Sequence, residues 1–515
     1  MGKNWRGVPM TRIPKALLLF TAVSLCLRAA PDNTQHFRWQ EDDLRGLFSR
    51  MDLEMRGTVE FTDNDSDIKS ISSDGYFRLE QWSTGPTRTY LVRPGSNGPE
   101  RLYSVDGVSK PLDADARAWL ARILPEVIRE TAIGAPERVK RILHQQGASG
   151  VLAEVNKIRS DHSRRVYLEN LLDYGSLNAE DLRESMRLGR KISSDGEKAG
   201  LLVAVAPHYQ SPATRESFFD SVDSISSDGE HRRVLAAVLE RYGPDHETLA
   251  LAMRSAKRIS SDGEKATVLV QAADFRLTDD TVRTNYFRAA DSISSDGEHR
   301  RVLSAVLKKN SDKDILVRSL RSASGISSDG EKCAVLTEAA GVYVDDPIVR
   351  RAFFDAAGTI SSDGERHHAL SALLKKADWN ADTLREIAKS ASRMSSDGEK
   401  AAVLATMAEA APKDPGVWEA LVAATDSISS DGEHARVLMA ALNAGTIGKD
   451  SVVLIVRSAE RISSDGEKAR VMARVAQKYS NDPQVAAALR AAAKTIQSDG
   501  EYRRVMTALD RGNTL

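Results

Sequence analysis

Cysteine is close to absent: the chain carries two in 515 residues, Cys26 and Cys333. Cys26 falls in the leader described below, so the mature chain would hold Cys333 alone and could form no internal disulfide. Stability must then come from packing, and a lone cysteine within a repeat helix reads as a small buried hydrophobe. Aromatic residues reach only 5%, which suits helices that approach closely through Ala, Leu and Val. Neither charge is in surplus, with Lys plus Arg at 72 and Asp plus Glu at 73. No basic excess exists to neutralise a phosphate backbone, so nucleic acid is not expected as a partner. After the leader no segment is long and apolar enough to span a bilayer. No nucleophile elbow, phosphate loop or cysteine–metal spacing occurs, and no cofactor or metal is expected. The stretch from Gly95 to Gly98 reads as a hairpin turn rather than a phosphate cradle.

What is present is ordinary for folded protein, 41% hydrophobic and 28% charged, in a chain too long for one core. Lys3, Arg6, Arg12 and Lys15 precede the apolar run 16–27, which gives way to Arg28-Ala29-Ala30-Pro31. That layout predicts a secretory signal peptide over 1–29 and an exported, periplasmic or secreted protein. Leu25 before Cys26 does not fit a lipoprotein signal. Residues 30–112 are expected to form a small antiparallel β-rich domain. Within it Thr58–Thr62, Tyr76–Glu80, Thr89–Val92 and Arg101–Val105 alternate with period two, punctuated by turn signals such as Asp106-Gly107. Residues 113–150 are expected as a helical connector, and 151–515 as a mainly α solenoid of helix pairs.

The solenoid rests on a repeat of Ile-Ser-Ser-Asp-Gly-Glu whose aspartates recur every 33 or 34 residues from Asp195 to Asp499. A degenerate copy, Ile158-Arg159-Ser160-Asp161, lies upstream, as an array with atypical ends would have it. Each unit has room for two helices. The motif predicts where the first begins: Ser194 accepts from the N–H of Glu197, the Glu197 carboxylate reaches back to the N–H of Ser194, and Asp195 adds negative charge to the first turn. The same structural capping is expected of Ser227, Asp228 and Glu230; Ser261, Asp262 and Glu264; Ser295, Asp296 and Glu298; Ser328, Asp329 and Glu331; Ser362, Asp363 and Glu365; Ser396, Asp397 and Glu399; Ser430, Asp431 and Glu433; Ser464, Asp465 and Glu467; and Ser498, Asp499 and Glu501. Calcium would want six to eight oxygens, more than each copy offers once the cap is made. Ten near-identical copies also argue against acid–base catalysis, which needs one asymmetric pocket.

A second period overlies the first. Lys198, Lys265, Lys332, Lys400 and Lys468 follow the glutamate in alternate units, and His231, His299, Arg366, His434 or Tyr502 take that place in the others. The lysines are expected to pair with the motif acids. His231, His299, Arg366 and His434 are expected along one strip of the rod, either a solvated face or a candidate binding and pH-sensitive strip.

The segment Asp67–Ile71, Gly75–Glu80, Val105-Asp106-Gly107, Trp119-Leu120 and the repeated motif resemble a bacterial family of exported β-plus-helical-repeat proteins. Similar regions are attached to some antirepressor-type membrane metallopeptidases. The resemblance implies architecture and export. The chain departs from the family pattern at Gly196, where Tyr is frequent, and it lacks H-E-x-x-H. His246-Glu247 runs on as Thr248-Leu249-Ala250, and His367-His368 has no partner glutamate, so peptidase activity does not carry over.

The expected function is that of a non-enzymatic scaffold whose solenoid binds a protein, peptide or cell-envelope component. Two alternatives stand beside it. One is a sensory envelope domain responding to a ligand or ion. The other is a hydrolase with its site near Arg78, Glu80 and Arg93 of the β-rich domain.

Overall fold

A computed structural model describes residues 34–42, 48–83, 85–208, 211–310, 312–375, 380–410, 414–445 and 447–512. The expected signal peptide lies outside them. Two compact units divide between Gly134 and Ala135.

Among the described residues of the first unit eight strands run β1 (Gln35–Asp42), β2 (Phe48–Arg56), β3 (Val59–Phe61), β4 (Ile68–Ile71), β5 (Tyr76–Ser83), β6 (Arg88–Gly95), β7 (Gly98–Val105) and β8 (Val108–Lys110). Six form one sheet in the order β1-β2-β5-β6-β7-β8, antiparallel throughout, and β3 pairs with β4. The turn signals act as their chemistry dictates. Asp106 and Gly107 both take positive φ, 49° and 77°, between paired Val105 and Val108, the geometry a two-residue hairpin requires. Alternation aims Met51, Leu53, Met55, Phe77, Leu79, Tyr90 and Val92 into one core.

Helix α1 (Ala114–Thr131) closes that core with Trp119, Leu120, Ile123, Leu124 and Val127 at helical spacing. Trp119 donates its indole N–H to Gln81 Oε1 at 2.7 Å, so the ring is buried without losing a hydrogen bond. The connector expected over 113–150 is therefore divided. Its first helix belongs to the β-rich unit, and α2 (Ala135–Val155), which breaks at Gly147 with φ 68°, opens the second unit.

The remaining helices alternate as pairs. They are α3 (Asp161–Tyr174) with α4 (Ala179–Gly189), α5 (Asp195–Val205) with α6 (Pro212–Val222), α7 (Asp228–Tyr242) with α8 (His246–Ala256), α9 (Asp262–Ala272) with α10 (Asp280–Ala290), α11 (Asp296–Lys309) with α12 (Lys313–Ala323), α13 (Asp329–Gly341) with α14 (Pro347–Gly358), α15 (Asp363–Leu374) with α16 (Ala381–Ser392), α17 (Asp397–Glu409) with α18 (Pro415–Thr425), α19 (Asp431–Asn443) with α20 (Lys449–Ala459), α21 (Asp465–Tyr479) with α22 (Pro483–Ala493), and finally α23 (Asp499–Gly512). The chain is thus an α-solenoid preceded by a small antiparallel β-rich domain. No helix among the described residues is long and apolar enough to cross a membrane.

Every odd-numbered helix from α3 begins at a motif aspartate. Several even-numbered ones begin with Pro at the first helical position behind an Asp or Ser cap, as at Asp346-Pro347 and Asp414-Pro415. Odd helices stack on odd and even on even, burying stripes such as Val234, Leu235, Val238 and Leu239 completely. Each such side chain contributes roughly 1.5–3 kcal/mol. The motif isoleucine is buried in unit after unit, for example Ile259 and Ile360, and so anchors the turn that leads into each new helix.

Candidate functional site

The motif is the first place to look for a site, and the structure spends it on joining repeats. The serine cap is present in most copies: Ser194, Ser261, Ser328, Ser362, Ser396, Ser430, Ser464 and Ser498 accept from the N–H of their own glutamate at 3.4–3.5 Å. Ser227 and Ser295 make no such bond. The reciprocal half of the capping box is replaced. The N–H of Ser194 donates not to Glu197 but to Asp161 of the preceding repeat at 2.8 Å, and the N–H of Ser193 joins it at 2.9 Å. Asp195 does the same for Ser226 and Ser227 at 3.0 and 2.7 Å. The pattern continues without a gap to Asp465, which accepts from Gln497 and Ser498 at 3.0 and 2.7 Å. Each aspartate thus begins one helix and caps the next repeat. A carboxylate one repeat upstream reaches these N–H groups with charge-assisted geometry that the local glutamate would have to fold back to match.

The displaced glutamates pair with basic side chains instead. Glu197, Glu264 and Glu331 reach the preceding repeat at Arg165, Arg232 and Arg300, and Glu399 reaches His367 at 2.5 Å. Glu230, Glu433 and Glu467 take an arginine one turn along their own helix, each at 2.7 Å.

The alternating residue after the glutamate is buried, not displayed. His231, His299 and His434 are 2%, 4% and 3% exposed, so these three rings do not form the expected solvated strip. Each Nε2 lies 2.8 Å from the hydroxyl of Ser255, Ser322 or Ser458 on the following even helix. Those hydroxyls donate to Asp223, Asp291 and Asp426 at 2.5 Å. Because each serine gives its one proton to the carboxylate, Nε2 must carry the imidazole proton. The order His–Ser–Asp leaves the hydroxyl facing the carboxylate and is not the base–nucleophile order that acyl transfer needs. Arg366, half-buried in the equivalent place, donates to the carbonyl of Ile360. The lysines are buried as well. Lys198, Lys265, Lys332, Lys400 and Lys468 donate to the carbonyls of Ser224, Ser292, Thr359, Ser427 and Thr495, which close the even helices. Their expected pairing with the motif acid appears at 3.7–3.9 Å for Lys198, Lys332 and Lys400.

Burial holds the rings of His231, His299 and His434 below the ordinary imidazole range, outweighing the attraction of Asp223, Asp291 and Asp426. Released on unfolding, they titrate near 6.5. The unfolded chain then takes up protons first, so this contribution is complete above about pH 6.5 and is lost as the pH falls below it. Urea unfolding at pH 7.5 and 5.5 is expected to show lower stability at the acid value. Replacing all three histidines by glutamine should flatten that slope, and an unchanged slope would count against these rings as its source.

Arg78 lines a cavity of about 430 Å³ together with Arg38, Asp52 and Glu54, and neither Glu80 nor Arg93 is among its lining residues. Arg78 and Glu80 pair with each other on β5, whereas Arg93 faces Glu100 across β6 and β7.

The feature that stands apart is a groove of about 910 Å³ across α19, α21 and α23. Met439, Ala473 and Ala508 supply apolar lining, and Arg470, Arg474, Arg503, Arg504 and Arg511 supply guanidinium groups, with no aspartate or glutamate among the lining residues. Arg474 is steered by two hydrogen bonds to Asn443 Oδ1, at 3.1 and 2.8 Å. Glu467 and Glu501 offset Arg470 and Arg504 at 2.7 and 3.2 Å, so the face retains a positive excess. None of these arginines was singled out in the sequence. The available signal was local: nine residues after the motif aspartate most repeats carry Ala or Gln, as at Ala237, Gln271 and Ala305, and only here does Arg474 appear.

No family model matches the chain, and no curated protein matches it. Among solved structures it is similar to a chain described as a homology model of the full-length AP-3 complex in an intermediate open conformation. The identity is 11%, the match covers 78% of this chain and 91% of that one, and the TM-score is 0.25. At that score the superposition is too loose to carry an argument about this chain.

Proposed function

We propose that this chain is an exported protein-binding scaffold without catalysis of its own, whose last odd-numbered helices hold an acidic segment of a partner protein. The groove of five arginines carries the reading. Guanidinium groups stay charged at any physiological pH and bind carboxylates in bidentate fashion. Adjacent stacked helices lie about 8–10 Å apart, so an extended peptide rising about 3.3 Å per residue would meet a new helix every third residue. Most polar residues of the motif serve the array itself, whereas the groove keeps a positive excess over its own glutamates. Export rests on the charged-then-apolar leader and on the family resemblance, with a cell-envelope protein as the natural partner.

The test is fluorescence anisotropy with a labelled peptide bearing Glu at every third position. Binding is expected to weaken as salt rises. The charge-reversed variant R474E/R503E should lose about tenfold or more in affinity, with its melting temperature little changed. Equal binding by that variant, or none by the native chain, would refute the assignment.

A further inference from the structure

Cys333, the one described cysteine, does not lie alone. Its Sγ, a carboxylate oxygen of Glu365 and a ring nitrogen of His368 all fall within 4.8 Å of one another. Cys333 comes from α13, and Glu365 and His368 come one turn apart from α15, the next odd helix of the stack. The three differ in access. The thiol is buried at 4%, the Glu365 side chain is 36% exposed and the His368 side chain 68%, so the cluster has a closed floor and a mouth open to solvent.

The repeat itself provides a second observation. Four residues after the motif aspartate, the other lysine-type units carry Ala199, Ala266, Ala401 and Ala469, and only this one has a cysteine. Five residues after it, the alternate units carry Arg233, Arg301, Arg436 and Arg504, and only this one has a histidine. Two departures from a near-identical array thus fall in neighbouring units and meet at one point. In the other alternate units the arginine at this place pairs with the motif glutamate, as Arg233 does with Glu230 and Arg436 with Glu433. Here His368 Nδ1 stands 3.8 Å from Glu365. Neighbouring His367 is engaged by Glu399 of α17 at 2.5 Å.

We propose that Cys333, Glu365 and His368 bind a zinc ion, with water completing the shell. Thiolate, imidazole and carboxylate are the ligand types zinc takes, at about 2.3, 2.0 and 2.1 Å, and tetrahedral coordination needs ligand atoms about 3.3–3.6 Å apart. Rotation of the two α15 side chains, both at the surface, closes that gap. The ion would tie α13 to α15 and stabilise the middle of the array, because it binds the folded state alone. The sequence spacing concealed the set because 32 residues separate Cys333 from Glu365, one repeat of the stack.

The sister repeats supply fold-compatible controls, C333A and H368R. The full chain, stripped with chelator, is titrated with zinc against a chromophoric competitor and separately with cobalt. One equivalent of each should bind, with cobalt giving the near-ultraviolet thiolate charge-transfer absorption. C333A should abolish that absorption, and each variant should weaken zinc binding about tenfold or more while keeping native circular dichroism. Absence of stoichiometric zinc binding, cobalt bound without the thiolate band, or unaltered zinc affinity in C333A would each overturn the site.

Discussion

Replacing Asp329 by alanine is expected to lower stability by about 3 kcal/mol and to split one unfolding transition into two, because two charge-assisted hydrogen bonds are lost at a single joint. Asp329 accepts from the N–H groups of Ser361 and Ser362 at 3.0 and 2.8 Å and so links its repeat to the backbone of the next cap. Its side chain is 22% exposed, which keeps the estimate below that of two fully buried bonds. Asparagine retains an acceptor oxygen without the charge, so D329N should cost about 1 kcal/mol. Asp499 is the matched control. No further motif follows it among the described residues, and D499A should stay within about 1 kcal/mol, the worth of a charge in a first helical turn. Chemical denaturation followed by far-ultraviolet circular dichroism distinguishes these outcomes.

The second large effect is expected at the buried lysines. Lys400 is 4% exposed, donates to Ser427 O at 2.8 Å and lies 3.7 Å from Asp397 Oδ1. K400A removes the cation, empties the space of its stem and leaves the Ser427 carbonyl without its donor, a loss of about 3–4 kcal/mol. K400M keeps the stem and discards only the ammonium, and about 1 kcal/mol is expected. Equal losses in the two variants would show that the ammonium and not the stem is what the array uses. Thermal and urea unfolding of both proteins provide the comparison.

Much of the architecture was legible because the array writes its period directly: helix starts, buried stripes and hairpin turns follow from Ser-Asp-Gly-Glu, from Val234 to Leu239 and from Asp106-Gly107. Strands β1 and β2 were not picked out, although Met51-Asp52-Leu53-Glu54-Met55 alternates as clearly as the strands that were. The candidate site was less legible, for a physical reason. A sequence shows which groups are neighbours along a helix, and Glu197 next to Ser194 looked like a closed box. It does not show which carboxylate from the adjacent repeat arrives first, and Asp161 does. The histidines misled in the same way. A polar residue on alternate units suggested an exposed strip, but each ring is buried against a serine 23 or 24 residues on, whose hydroxyl ties it to an aspartate near the end of the preceding even helix. The groove arginines and the Cys333 cluster depend on stacking across repeats, and only departures from the consensus, Arg474, Cys333 and His368, hinted at them.

Amide hydrogen exchange at the paired motif serines tests the aspartate ladder most directly. Ser361 and Ser362 are exposed residues whose N–H groups would exchange freely unless Asp329 holds them. In the native chain both amides should be protected, and in D329A both should become fast while Ser294 and Ser295, held by Asp262, stay slow. Rapid exchange at all four in the native chain, or protection unchanged by D329A, would contradict the ladder.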